Sequence, residues 1–577
     1  MILQSLVEYY EALEERGEIA RPGWSLEKVS FALNLSSTGE LLGIIPQMHT
    51  EMRGKKEVEV PDQMQVPERV VRTVDVIPNF LCDNSSYFLG FDNKGKPKRT
   101  QECFQAAKQL HQEVLAQATG KAANAVKGFF NRWQPDTARQ HPVLQGYLDD
   151  LATANLVFRV EGGACAQDDP EICRAWELYY QSGQEGSKQR CLVTGKIEPM
   201  AFLHGKIKGV PGAQSSGASL ISYNASAYES YGQNDGNQPG TPVGKYAAFA
   251  YVTAINHLLN QRKHSNQIGD TVMIYWAEQA DPQPQKLFSL FAFPTADADS
   301  QLAGVMKLLA QGKPLDNVSL DKRFYVLGLA PNAARISVRF FLQDTFGNML
   351  ENLRRHYLRL EIQRPAFDQR QYLSVPALLF ETVPPNSKDK TPSPLLAGAV
   401  MRSILTGAAY PQSLFGAVMI RIRADRNVNR GRAAIIKAYL LHNHKEEEVT
   451  TVALNKDSNH RAYVLGRLFA LLEDAQKQAN PGINTTIKDR YFTSACATPG
   501  SVFPQLLKLS HYHTAKAEYG SWHEREKARL LDKLEIEKDP LPTHFSLKDQ
   551  GIFMLGYYHQ VQARYNKKEE QTNGGNQ

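Results

Sequence analysis

Apolar residues at Leu3, Leu6, Val7, Tyr10 and Leu13 fall on one face at helical spacing, so the chain opens with a helix. The period then changes to two. In KVSFALNLSSTGELLGIIP, Val29, Phe31 and Leu33 alternate along the strand, and Ser36 to Glu40 supply the turn of a β-hairpin. EVEVP follows, then the irregular IPNFLCDNSSYFLG and the basic loop NKGKPKR. Helical periodicity runs from Gln101 to about Ala118 and stops at Gly120. Further on, Thr271–Ala277 and Phe324–Leu329 are short apolar strands, Lys245–Leu259 is a helix, and 228–244 is loop by composition. Prolines 384, 385, 392 and 394 with Gly398 mark a compositional break over 381–398, the pattern of a linker. After residue 451 the pattern is helical. Ser521–Glu524 and Ser546–Asp549 read as capping boxes, and Pro481-Gly482 and Pro499-Gly500 as helix ends.

These periods predict an α+β multidomain protein. A mixed α/β region occupies 1–380, a linker and Arg-rich helical segment 381–450, an all-α helical bundle 451–566 and a disordered tail 567–577. Composition changes little: 577 residues, 42% hydrophobic and 22% charged, describe an ordinary globular chain of several domains. The acidic start, with Glu8, Glu11, Glu14 and Glu15, does not fit a secretory signal. No run reaches the ~18 apolar residues of a membrane span, so a cytoplasmic protein without membrane contact is expected. The six cysteines form no C-x-x-C pair, which argues for buried, reduced thiols and against a zinc ribbon. A net charge of +6 permits an anionic partner without demanding one.

Charge and chemistry matter locally. GVPGAQSSGASLISYN (209–224) has the outer spacing of a phosphate-binding loop, but Ala218 stands where the lysine belongs. It is also one residue too long for the G-x-S-x-G of a hydrolase nucleophile. What remains is a flexible polar loop whose bare backbone and Gln214, Ser215, Ser216 and Asn224 side chains suit close approach to a base edge or phosphate. His442-Asn443-His444 is too short for a nuclease motif, and the His511/His513 spacing keeps those rings off a shared helical face. No H-E-x-x-H and no two-metal carboxylate set is present, so no catalytic residue, metal or cofactor is expected. A metal-dependent nuclease built around His442 is the alternative.

The densest charge is RIRADRNVNRGRAAIIK. Arg421, Arg423, Arg426, Arg430, Arg432 and Lys437 face one anion, Asp425. The run reads either as a solvated helical face or as a nucleic-acid contact, with arginine suited to bidentate phosphate binding. Lys94, Lys96, Lys98 and Arg99 form a smaller basic loop, and Arg53, Lys55 and Lys56 a weaker one. In IPNFLCDNSSYFLG, Asn79 and Asn84 sit in an Asx-type turn and are candidates to read a base edge.

Several long phrases together, PNFLCDNSSYFLG, CLVTGKIEPMAFLHGKIKGVPGAQSSGASLISYN, AAFAYVTAINHLL, GLAPNAARISVRFF, LTGAAYP and NTTIKDRYFTSACATP, resemble the large-subunit family of type I-C CRISPR interference (Cascade) complexes. The resemblance spans residue 1 to about 515. It implies a non-enzymatic subunit at the foot of an RNA-guided complex, bound to CRISPR RNA and to the backbone and RNA-processing subunits. Such a subunit recognises the protospacer-adjacent motif in duplex DNA, helps open the duplex, stabilises the displaced strand and helps recruit a helicase-nuclease in trans. It implies a C-terminal bundle that resembles the Cascade small subunit, which internal translation can also supply. No methionine lies between Met419 and Met554, so such a start would need a non-AUG codon near Val449 or Val452. The family's contacts sit in no sharp motif. Within its frame Gln214, Ser215, Ser216 and Asn224 are the groove or RNA contacts, Arg421 through Lys437 hold a displaced strand, and Lys94 to Arg99 clamp flanking duplex.

Overall fold

A computed structural model describes residues 2–573 apart from 54–55, 71, 73–74, 96, 183–187, 202, 223–241, 262–263, 316–317, 389 and 536–538. The fold is α+β, with small sheets toward the N-terminus and helices toward the C-terminus. Contacts divide it into two units, one formed by 1–207 with 219–257 and the other by 208–218 with 258–577. The proline-rich stretch 381–398 lies inside the second unit, so the compositional break and the division of contacts do not coincide.

The first unit begins with helix Ile2–Glu14, whose buried face carries Leu6, Tyr10 and Leu13 as the spacing predicts. The hairpin Phe31–Leu35 / Leu41–Pro46 is antiparallel, and Phe31–Leu35 also pairs in parallel with Asn155–Val160. Its turn is a packing device. At Gly39 (φ +89°) a Cβ would stand 2.2 Å from the backbone nitrogen of Phe129, so only glycine lets the turn rest on helix Lys121–Arg132. A second sheet joins Trp24–Val29, Lys56–Pro67 and Met48–Arg53 in antiparallel order. Phe80, Phe88, Phe104, Phe129, Phe130 and Phe158 form an aromatic core around His111. The His111 Nδ1 donates to the Ala107 carbonyl, and Nε2 accepts the N–H of Leu81, a residue held at φ +54°.

The second unit opens on a four-stranded antiparallel sheet, Ser265–Ile268, Thr271–Ala277, Arg323–Asn332 and Arg335–Thr345 in spatial sequence. Every residue of Thr271–Ala277 is buried, which explains its unbroken apolar run. Helices follow from Phe346 onward, and one hydrophobic core runs from Ile268 to Tyr558. Its densest contact is between the central helix Arg461–Ala479 and the C-terminal helix Leu547–Asn573. A Cβ on Gly466 would lie 2.0 Å from the carbonyl oxygen of Phe553, and one on Gly556 would lie 2.3 Å from that of Tyr463. Backbone meets backbone there.

Two local expectations need correction. Ser521 is not a cap: helix Gly520–Asp532 starts after Tyr519, and Glu524 instead accepts from Thr514 and Lys527. Pro499 does not close a helix; it is the first residue of Pro499–Thr514, where its missing N–H costs nothing. Ser546 does cap the last helix, its Oγ accepting the Asp549 N–H and donating to the Asp549 carboxylate, and a full box, Thr486–Asp489, caps Ile487–Ala497. Loop 228–241 lies outside the described residues.

Gly466→Ala forces the two helices apart, with an expected cost of about 3 kcal/mol, as for overpacking of a tight core. Thermal melting should fall by roughly 5–10 °C; a melting temperature within a degree of wild type would refute the close-contact account. Burial also holds four imidazoles down, His111 and His204 to about 4 and His356 and His559 to about 3. The unfolded chain takes up these protons near its ordinary pKa of about 6.5 and the folded chain does not. Stability is therefore intact above 6.5 and is lost as pH falls below it. With two such residues in each unit, the slope should approach about 2.7 kcal/mol per pH unit near pH 5. Urea denaturation at pH 7 and pH 5 checks this, and a flat profile would contradict it.

Candidate nucleic-acid interface

The glycine loop presents an exposed polar set. Glycines 209, 212 and 217 all have positive φ (+91°, +81° and +94°), which lets the chain make two turns, Ala213 N to Val210 O and Gly217 N to Gln214 O. Val210 and Ala218 are buried and pin the ends, and a Cβ on Gly212 would meet Pro331 at 3.2 Å. Between these anchors Gln214, Ser215 and Ser216 are exposed. Asn224 lies outside the described residues.

The small basic loop is also open to solvent. Asp92 caps it by accepting the N–H of Lys94, and Lys94, Lys98 and Arg99 are exposed where helix Pro97–Val114 begins. Lys96 lies outside the described residues. The sequence reading missed Arg139, which reaches this loop from 47 residues away: its Nη2 donates to the Asp92 carbonyl at 2.5 Å and its guanidinium lies over the Phe91 ring. Only the fold brings that cation beside Lys94.

The two asparagines sit in the expected Asx-type turn, and one of them is closed to a partner. Asn79 is buried, its Oδ1 accepting the Val70 N–H at 2.9 Å. Asp83, fully buried, receives the N–H groups of Asn79 and Asn84 and a bidentate contact from Arg72. Asn84 caps Ser85–Phe88 through the Ser86 N–H. The turn is built by its Asx side chains, and Asn79 is closed to a base edge.

The Arg-rich segment departs furthest from expectation. It is neither a solvated face nor an open cationic strip, because helix Arg430–His444 runs through the core. Arg430 is 7% exposed and donates to Asp368, to the Arg370 carbonyl and to the Gln371 carbonyl. Arg432, 4% exposed, pairs with Asp425 at 2.6 Å and Glu381 at 3.3 Å. Lys437, 2% exposed, donates to the Arg359 carbonyl, and loss of hydration pulls its ammonium down to about 8. Arg421 pairs with Asp425, and Arg423 donates to Gln550. A displaced strand cannot reach Arg430, Arg432 or Lys437 in this arrangement. Arg426, left-handed at φ +51° at the end of helix Gln412–Asp425, is exposed.

His442 is likewise engaged: Nε2 lies 3.1 Å from the carbonyl oxygens of Gly407 and Ala408, with the ring edge-on to Tyr410. Among the described residues no group of three or more His, Cys, Asp or Glu is placed to hold a metal ion. Among them too, no helix is long and apolar enough to cross a membrane.

Small sheets and a long helical core define an α+β protein of two contact units. The family described as CRISPR-associated protein (Cas_Csd1) matches residues 6–565, and the chain belongs to it. It is a CRISPR-associated Cascade component, and its family is consistent with the large subunit of type I-C complexes. No curated protein matches the chain.

Removing a buried arginine strands its carboxylates. Arg430→Ala and Arg432→Ala are expected to cost about 3–5 kcal/mol each, whereas Arg426→Glu should stay within about 0.5 kcal/mol of wild type. Chemical denaturation of the three variants checks this; equal stability across them would overturn the structural assignment of Arg430 and Arg432.

Proposed function

We propose that this chain is a non-enzymatic subunit that recognises a protospacer-adjacent motif in duplex DNA within an RNA-guided complex. It assists duplex opening, stabilises the displaced strand and helps recruit a helicase-nuclease that cuts in trans. The reading starts from the family and is carried by one observation, the loop 209–217. A reader of base edges needs short polar side chains on a backbone that nothing bulky shields, and needs them held still. Gln214, Ser215 and Ser216 meet the first need, and the buried anchors Val210 and Ala218 with Gly212 against Pro331 meet the second. Lys94, Lys98, Arg99 and Arg139 supply sequence-blind phosphate contacts of the kind that give affinity and register. The CRISPR RNA, the backbone and RNA-processing subunits and the small subunit are the partners this reading assigns.

The Arg-rich segment enters it in reduced form. Arg426 is the candidate strand contact of that run, and the buried cations serve the scaffold.

The test is equilibrium binding of target duplex to the RNA-loaded complex assembled with and without this chain, on intact and scrambled flanking motifs. Tighter binding of the intact motif only when the chain is present is expected. Gln214→Ala should then reduce discrimination by about 1–3 kcal/mol, the range for a lost base contact. Lys98→Glu with Arg99→Glu should weaken both duplexes alike. Equal enhancement of both duplexes by the wild-type chain would leave a sequence-blind clamp and sink motif recognition.

A further inference from the structure

The short hairpin Lys188–Arg190 / Ile197–Pro199 has no part in the proposed motif reader, yet it is built as if to display its outer face. Its register pairs Arg190 with Ile197, Gln189 with Glu198 and Lys188 with Pro199. Strand alternation therefore puts Lys188, Arg190 and Ile197 on one face and Gln189 and Glu198 on the other. The second face is docked: a Cβ on Gly244 would stand 2.0 Å from the Glu198 carboxyl carbon. The first face is open, with Lys188 and Arg190 exposed and Ile197 69% exposed. Leu192, in the turn, is 68% exposed.

Those two aliphatic side chains do not stand in water because the segment is loose. The buried sulfur of Cys191 accepts the N–H groups of Val193, Thr194 and Gly244 at 3.4, 3.5 and 3.2 Å. The Cys191 N–H donates to the Lys196 carbonyl and the Gly195 N–H to the Cys191 carbonyl, with Gly195 left-handed at φ +72°. Leu192 N donates to the Pro242 carbonyl. Thr194 Oγ1 donates to Glu198 Oε1 at 2.7 Å, and Arg190 Nη1 to the Gly195 carbonyl at 2.9 Å. A turn fixed by so many bonds holds Leu192 and Ile197 outward, where only a partner can take them from water.

Charge selects the partner. Lys188, Arg190 and Lys196 are exposed around the two aliphatic groups, and Glu198, the one acid between 188 and 200, faces inward. Cations bracketing projecting Leu and Ile side chains match a polyanion whose grooves expose apolar edges, as proteins that contact DNA grooves do. We propose that the outer face of this hairpin is a second contact surface for duplex DNA, with Lys188 and Arg190 on phosphates and Ile197 and Leu192 against the groove. This rests on the reading of the chain as a DNA-engaging subunit and adds a surface in the first unit, whereas the 209–217 loop belongs to the second.

The test uses the RNA-loaded complex carrying the full chain, with affinity for target duplex measured across a salt series. Lys188→Ala with Arg190→Ala should weaken binding about tenfold and flatten the salt dependence by about 1.8 in log–log slope, the value for two lost phosphate contacts. Leu192→Ser with Ile197→Ser should weaken binding severalfold and leave that slope unchanged. If serines at 192 and 197 or the loss of the Arg190–Gly195 bond impair folding, Lys188→Ala alone decides, with an expected slope change of about 0.9, since Lys188 is exposed and holds none of the turn's bonds named above. Wild-type affinity and slope in the alanine pair would overturn the proposal. So would loss of the variant chain from the purified complex, which marks a protein interface, or loss of guide RNA from it, which marks an RNA contact. A wild-type complex indifferent to the flanking motif would instead sink the motif-reading function, and the salt series would still decide the hairpin.

Discussion

The second unit depends on two helices approaching until their backbones touch. Gly466 faces the Phe553 carbonyl and Gly556 faces that of Tyr463, at distances that exclude any side chain. So close a crossing brings the flanking side chains within reach of one another. Tyr463 bonds His559, Tyr557 donates to the buried Glu473 and Arg467 reaches Gln560. Polar groups at that depth are tolerable because the crossing supplies most of them with a partner, His559 Nε2 being left without one. The glycines determine the distance, and the distance determines which polar groups can be buried.

The same logic explains the buried cations of Arg430–His444. Counted along the chain, the segment has a surplus of positive charge. Counted in space, the cations are engaged: Asp368 and Glu381 come from the connections before it, and the Arg359, Arg370 and Gln371 carbonyls accept further N–H groups, leaving Arg430 Nε without an acceptor. A buried arginine needs several acceptors at once, and a folded chain can gather them from distant segments. These side chains are scaffold, and their worth lies in holding the connections before the helix against it.

What the sequence disclosed follows from how local each signal is. The first helix, the Phe31–Pro46 hairpin and the strand Thr271–Ala277 rest on periodicity and turn residues within a dozen positions, and they are where the pattern puts them. The box at Ser521 failed because helix Gly520–Asp532 begins earlier and Glu524 is drawn to Thr514 and Lys527. Among the candidate contacts, Gln214, Ser215, Ser216, Lys94, Lys98 and Arg99 are exposed, since glycine-rich and lysine-rich turns favour the surface whatever surrounds them. Asn79, Arg430, Arg432 and Lys437 are buried, because partners distant in sequence claim them. Arg139 escaped notice for the converse reason: nothing near it in sequence marks it as part of the Lys94 loop.

Rigidity separates a displayed residue from one merely exposed. The loop 209–217 and the hairpin 188–199 share a construction, glycines at positive φ to make the turn and a buried residue beneath to anchor it. In the loop the anchors are Val210 and Ala218 and the displayed groups are polar; in the hairpin the anchor is Cys191 and the displayed groups are aliphatic with cations beside them. A side chain held in place before a partner arrives loses less entropy on binding than one that must be ordered, by about 0.5–1.5 kcal/mol for each rotamer-rich group. Polar groups so held discriminate between base edges, because a wrong edge leaves them unpaired. Aliphatic groups so held add affinity with little discrimination. On the proposed function, the second kind finds a duplex and the first tests it.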